Sequence, residues 1–340
     1  MFFKRSLLLT LVILFSLLFF KPNVGADEGV DAAKAMDQAL SQVEDTGAEV
    51  SSNTPVKAKR SVPLTYRQKL DEAVTREPQE EVFPWEMDSF VRYMPSKTLK
   101  GSDGKISIVD TESELSYEFK AGGRLPIQLS INSEYVGIGK KDFSALSLPA
   151  HLTGLSFGAQ GTFPFFFDKT YIRFKVVPSF FSANWNAQAS SFRIPTYTYC
   201  IYQPNQKWTF IAGVAVFPRF EDTVFPIVGF IYQPNDKLTF NIVPSEPYIS
   251  YQINKMIGVF VNAGMTGGEY RVTKDGYENA ILQYNEVHTG AGLEFTFSKN
   301  INASISSGYM FNRYLKYRDS LGKASMKNDI YTEFRLEMRI

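Results

Sequence analysis

From about Ser89 to the end of the chain, hydrophobic positions recur with a period of two. In the final run, Ile330, Thr332, Phe334, Leu336, Met338 and Ile340 share one face. Tyr331, Glu333, Arg335, Glu337 and Arg339 share the other. Side chains alternate across a strand, so this is a strand with one apolar and one polar face. The alternation recurs at Ile301, Ala303, Ile305, at Val287, Thr289, Ala291, Leu293, and at Leu115, Tyr117, Phe119. It recurs again at Ile127, Leu129, Ile131 and at Ile257, Val259, Val261.

A soluble sheet also alternates, so run length and turn spacing decide. Many of these runs reach the ~9–11 residues that a tilted membrane strand needs, beyond the ~5–6 of globular strands. Tight connections fall at Ala121-Gly122-Gly123, Gln203–Gln206, Gln233–Asp236, Asn254-Lys255 and Ser298–Asn300. Longer polar ones fall between them, at Gly139–Pro149, Asn184–Ser191, Arg219–Asp222, Thr273–Asn279 and Arg318–Lys327. Short turns at one end and long loops at the other predict an all-β, closed antiparallel transmembrane β-barrel.

Thirteen strands are countable back from Ile340, starting at residues 105–120. Even parity is the rule for such barrels. Ser89–Met94, with Pro95–Gly104 as its outer loop, supplies a fourteenth. The alternative is twelve, if the pair at 237–244 and 247–254, interrupted by Pro244 and Pro247, is not a hairpin. An internal repeat supports hairpin construction. Residues 201–210 read IYQPNQKWTF and residues 231–240 read IYQPNDKLTF, with Pro at the second and Asn at the third turn position of a tight reversal.

Upstream the pattern differs. Lys4 and Arg5 precede the uncharged run Leu7–Phe20, and Val24-Gly25-Ala26 precedes Asp27. A basic start, a short apolar run and a small-residue exit make residues 1–26 a secretory signal peptide cleaved after Ala26. The run falls short of the ~20 residues of a spanning helix. Residues 27–86 are polar and poor in aromatics, a flexible or partly helical periplasmic segment, and the barrel occupies 87–340.

Composition fits this picture. Aromatics make up 15% of the chain, enough to furnish a lipid wall and interfacial girdles. Lys plus Arg number 36 against 35 acidic residues, which argues against a nucleic-acid partner. Cys200 is the single cysteine, excluding a disulfide framework, and His151 and His288 are too few for a multi-histidine metal centre. No cofactor is expected.

The stretches YQPNDKLTF (Tyr232–Phe240), PYISYQIN (Pro247–Asn254) and GGEYRV (Gly267–Val272) resemble a family of Gram-negative outer-membrane β-barrel proteins of unknown function. The likeness covers roughly Ser89–Ile340. It implies an outer-membrane location with lipid as the surrounding partner, assembly by the barrel-assembly machinery, and no catalytic residues. Such barrels usually end in an aromatic, whereas this chain ends in Ile340, with Phe334 the nearest aromatic on that face.

Energy assigns the faces. An Arg on the lipid face at mid-membrane costs ~2–4 kcal/mol. Arg335 and Arg339 are therefore sent to the lumen, with Glu333 and Glu337 beside them. The same rule sends Glu114, Glu118, Arg173, Lys175, His288 and Glu294 inward. A lumen holding both signs of charge has two readings: a water-filled pore for passive passage of small solutes, or a non-conducting structural or binding barrel. An envelope hydrolase built on His288 is a third, and no Gly-x-Ser-x-Gly elbow accompanies that histidine. The chain therefore reads as a non-enzyme.

Overall fold

The structure, a computed structural model, describes residues 84–340 apart from 102–103, 123–124, 142–146, 184, 186–187, 219–222, 245, 275–276 and 319–320. The signal-peptide expectation and the polar segment up to residue 83 lie outside the described residues, as does the loop Arg219–Asp222, while Trp85 and Glu86, counted to the polar segment, already belong to the first strand.

The described chain is all-β with a single one-turn helix. Fourteen strands succeed one another around a ring: β1 Trp85–Thr98, β2 Lys105–Ala121, β3 Leu125–Lys141 and β4 His151–Pro164 come first. In β5, Thr170–Val176 continues through Pro178 into Ser179–Ser182, and in β6, Phe192–Arg193 continues through Pro195 into Thr196–Asn205. There follow β7 Trp208–Val216, β8 Val224–Asn235, β9 Leu238–Asn241, β10 Tyr248–Gln252, β11 Ile257–Lys274, β12 Tyr277–Ser298 and β13 Ile301–Tyr317. The last, β14 Asp329–Arg339, pairs back onto β1, with Glu86 opposite Arg339 and Tyr93 opposite Thr332. Closure leaves no free edge at this seam, the condition for a sheet in lipid.

The strand count settles on fourteen, and β9 and β10 are a true hairpin with Asn241 opposite Tyr248. The weak segment at Ser89–Met94 is part of a longer strand, β1, which pairs with β2 through Thr98 across a register shift after Met94. Thr273–Asn279 is not a long loop. The β11–β12 ladder continues to Lys274 opposite Tyr277, because the two strands keep pairing beyond the apolar band.

Turn chemistry differs from expectation in one respect. Asn205 and Asn235 open their turns rather than sitting third. Asn205 Oδ1 accepts from Lys207 N at 2.9 Å and Trp208 N at 3.2 Å. Asn235 Oδ1 accepts from Lys237 N at 2.9 Å and Leu238 N at 3.1 Å. Asn254 repeats the device on Met256 and Ile257 without a preceding Gln-Pro. The side-chain amide oxygen mimics a backbone acceptor, which is why Asn suits the first turn position.

The outer surface carries exposed Val91, Leu129, Phe157, Phe174, Val261, Leu293 and Phe334. Such an apolar wall on a closed ring makes the protein a membrane-spanning barrel. Near the ends of its strands this wall carries aromatic rings. Trp208 stacks on Phe210 and Tyr232 at 5.5 and 4.1 Å, and Trp85 lies 4.7 Å from Tyr117. At the opposite end Tyr135 stacks on His151 at 5.8 Å. These are the two girdles of a membrane barrel.

Candidate functional site in the barrel lumen

The lumen has two levels with different contents. At the end bearing the longer loops, the ring is narrowed. Ser182 of β5 leaves the strand order and pairs in parallel with Arg271 of β11, and Ala183 N donates to Arg271 O at 3.0 Å. At this level β1–β5 and β11–β14, nine strands, form the wall. Eight strands already leave an interior just wide enough to fill with side chains, so a ring of this size can be packed solid.

It is packed. Met94, Ile106, Leu152, Leu282, Met310 and Tyr317 belong to a continuous buried cluster across this level. Phe181 crosses to meet Tyr270 edge-on at 5.5 Å. Gly154 gives Phe181 its place, since a Cβ there would lie 2.9 Å from the ring. The Tyr270 hydroxyl, on β11, donates to Glu134 on β3, on the opposite side of the ring.

Beneath the apolar layer sits a network of charges. Arg92 of β1 is 1% exposed and donates from Nε to Glu333 at 2.8 Å. Its Nη1 reaches across to Thr266 at 3.1 Å and Glu286 at 3.4 Å, with Asp110 at 3.6 Å. Arg313 Nε stands 3.6 Å from the same Glu286, and the Tyr284 hydroxyl donates to that carboxylate too. A buried guanidinium among carboxylates is tolerable only because each charge has partners.

Arg313 reaches this network through an irregularity. β13 carries one extra residue against β12, between the Val287–Phe311 and Asn285–Tyr314 pairs. Asn312 takes a left-handed φ of 52°, the conformation that Asn adopts most readily after Gly. The extra residue shifts the alternation, so Arg313 falls inward although it has the parity of Phe311 on the lipid face.

The other level is wetter. A ladder of amides runs across β2, β3 and β4: Gln128 Nε2 donates to Ser116 Oγ at 3.0 Å, and Gln160 Nε2 donates to Gln128 Oε1 at 3.2 Å. Lys175 stands opposite Gln160 in the ladder. Lys175, Glu114 and Glu118 are only half-buried. Arg339 joins Glu86 at 3.1 Å near the strand end.

Of the ten residues picked from the sequence, Glu294, Glu333, Arg335 and Glu337 come together around one cavity, with Tyr248 and Phe260 facing them from β10 and β11. Arg335 Nη1 lies 3.6 Å from Asp88 and its Nε 3.7 Å from Glu333. Arg173 stands apart on β5, buried, with Nε donating to Thr162 Oγ1 at 3.1 Å. His288 is not near a loop. It is buried in mid-strand with its ring edge-on to Tyr331 at 5.6 Å. Sequence reasoning missed Arg92, Asp110, Glu286 and Arg313. No residue was chosen on the strand of Arg92. Asp110 and Glu286 share the parity of chosen neighbours on their own strands and were legible on that signal. Arg313 was not.

The fold and the two-level lumen define a membrane-spanning β-barrel of the outer-membrane type. The chain belongs to a family described as a domain of unknown function (DUF6268), whose model matches residues 99–340. That range begins after β1, the strand that closes the ring. No curated protein matches the chain. Among solved structures it is similar to an outer-membrane channel from Pseudomonas putida F1, at 12% identity and a TM-score of 0.42, over 76% of this chain and 96% of that one. It is also similar to the toluene transporter TodX of Pseudomonas putida, at 10% identity and a TM-score of 0.37, over 76% of this chain and 90% of that one. At such identities and scores these likenesses lend this chain no solute and no mechanism.

Proposed function

We propose that this protein is an outer-membrane passage for small solutes, closed along its axis at rest. The reading has it exported on residues 1–26 and inserted by the barrel-assembly machinery. The tight-turn end, where β1 begins and β14 ends, then faces the periplasm, together with the preceding polar segment. The observation that carries the reading is the contrast within the lumen. Half-buried Glu114, Glu118 and Lys175 line the periplasmic level, while the outer level is filled by Phe181, Tyr270 and their neighbours. Mixed charge around Arg335 and Glu294 suits a hydrated chamber that takes polar groups of either sign.

Planar-bilayer recording tests this. The protein should stay near-silent, and the double variant Phe181→Ala, Tyr270→Ala should give discrete conductance steps. Large steady steps from the unaltered protein overturn the axial closure. A double variant that runs as a folded, heat-modifiable band on gels yet stays silent overturns the passage and leaves a purely structural barrel.

A further inference from the structure

The barrel wall is uneven. β8 spans 12 residues and β11 spans 18, but β9 and β10 between them span 4 and 5. At ~3.3 Å per residue and a tilt near 40°, five residues rise only ~13 Å, about half of a ~25 Å apolar band. Pairing of β8 with β9 stops at Ile231 opposite Asn241, extended by a bond from Ile242 N to Phe230 O. Pairing of β11 with β10 stops at Asn262 opposite Tyr248, extended by a bond from Ala263 N to Pro247 O. Among the described residues, no strand then pairs with the facing edges of residues 224–228 and 264–268 until Ser182 meets Arg271 above them.

The result is a gap in the wall. It is framed by β8 and β11 at the sides, the β9–β10 hairpin below and the β5–β11 junction above. Its sides stand three strand spacings apart at the base, ~14 Å. The junction is braced: Arg271 Nε donates to Asn279 Oδ1 at 2.8 Å, and Ser190 Oγ donates to the same oxygen at 3.2 Å. Local sequence fits an edge. Pro226 in β8 has no N–H to offer, and Pro244 and Pro247 stop the hairpin.

Two bare sheet edges facing hydrocarbon would leave backbone groups unsatisfied, at several kcal/mol each, and irregular backbone at membrane depth is tolerated where it lines a water-filled cavity. The gap therefore joins the hydrated chamber inside. Its outer rim is apolar and exposed: Val224, Val228, Ile242, Val261 and Met265. Inward of the rim, the cavity is lined by Tyr248 and Phe260 of the strands nearest the gap and by Glu294, Arg335 and Glu337 of β12 and β14. The medium touching the rim is lipid, and the cavity behind it carries aromatic and charged groups together.

We propose that the gap is a lateral window through which an amphipathic small molecule, dissolved in the outer leaflet, passes polar end first into the periplasmic chamber. The window rests on the passage reading and gives that passage its outer door, since the axial exit is filled.

Lipid access to the lumen can be read without any transport, so this proposal and the passage reading fail separately. In a Cys200→Ser background, a bimane fluorophore is attached at Ile227→Cys, on the inner face of β8 beside the gap, and at Val243→Cys as a second site in case the first disturbs folding. The protein is reconstituted in bilayers of brominated phosphatidylcholine. Both labels should be quenched to an extent approaching that at the outward Val228→Cys, while a label at Ser306→Cys, buried behind the tall wall on β13, stays bright. Labels at 227 and 243 as bright as at 306 overturn the window. A fatty acid carrying a photoactivatable tail should, in addition, mark the peptides holding Tyr248 and Phe260. Marking confined to outward residues overturns the proposed occupant.

Discussion

The arc from β11 through β14 to β4 and the arc from β5 to β10 use one strand grammar for different ends. The first is tall and filled. Its inner face carries the apolar cluster around Leu282 and Met310 and the charge network around Arg92 and Glu286. The second is low and thinly filled, its buried cluster amounting to Ile201, Ile211 and Ile231 with a few neighbours. Proline sits differently in the two. In the second arc Pro178, Pro195, Pro226, Pro244 and Pro247 break or stop strands by withholding a donor, while in the first Pro95 falls at a register shift inside β1 and Pro126 and Pro164 at strand ends. The tall arc holds the ring closed, and the low arc leaves room for an opening. A barrel can thus divide stability and access between two sides of one wall, because each strand needs only its two neighbours.

The comparison is most exposed at Arg92. Arg92→Ala would leave Asp110, Glu286 and Glu333 buried without their shared cation, so the barrel should lose about 3–5 kcal/mol. Urea unfolding followed by the loss of heat-modifiable mobility on gels measures this. A loss under about 1 kcal/mol, the scale of an exposed pair, would mean that the tall arc does not depend on its charge network.

A smaller effect is expected at the bulge. Asn312→Val places a β-branched side chain at a left-handed φ and should cost about 1–2 kcal/mol. Asn312→Gly should be near-neutral by the same unfolding assay. Equal effects of the two would show that the backbone conformation is not what turns Arg313 inward.

The low arc should yield the smallest change. Asn235→Ala removes one acceptor from two exposed turn amides, a loss of about 1 kcal/mol or less, because water can replace it. The matching Asn205→Ala should agree with it, since the two turns are built alike. A loss as large as that of Arg92→Ala would place the main stability of the barrel in the low arc and reverse the comparison.

Much of this architecture was legible because period-two patterning and lipid energetics act residue by residue. Glu333, Arg335 and Glu337 could be sent inward from their alternation with Phe334 and Leu336 alone, and turn spacing with even parity narrowed the strand count to fourteen or twelve. The doubtful pair around Pro244 and Pro247 was a real irregularity: the prolines shorten the hairpin without removing it. What misled was any inference that crossed a bulge or a loop. Alternation places Arg313 on the lipid face, and only the extra residue at Asn312 reverses it. Residues Thr273–Asn279 read as a long loop and turned out to be a continued ladder.

The sequence by itself determined that this chain makes a closed membrane barrel, that its strands number fourteen or twelve, and which residues of its regular strands face lipid. Alternation, turn chemistry and desolvation cost are local, and each strand records them in its own residues. Only the tertiary structure decided that the lumen is filled at one end and that its wall is low on one side. Both depend on Ser182 meeting Arg271, on Phe181 reaching Tyr270 and on Arg92 reaching Thr266. Those contacts join strands far apart in the chain across the ring, and such distances leave no periodic trace in the sequence.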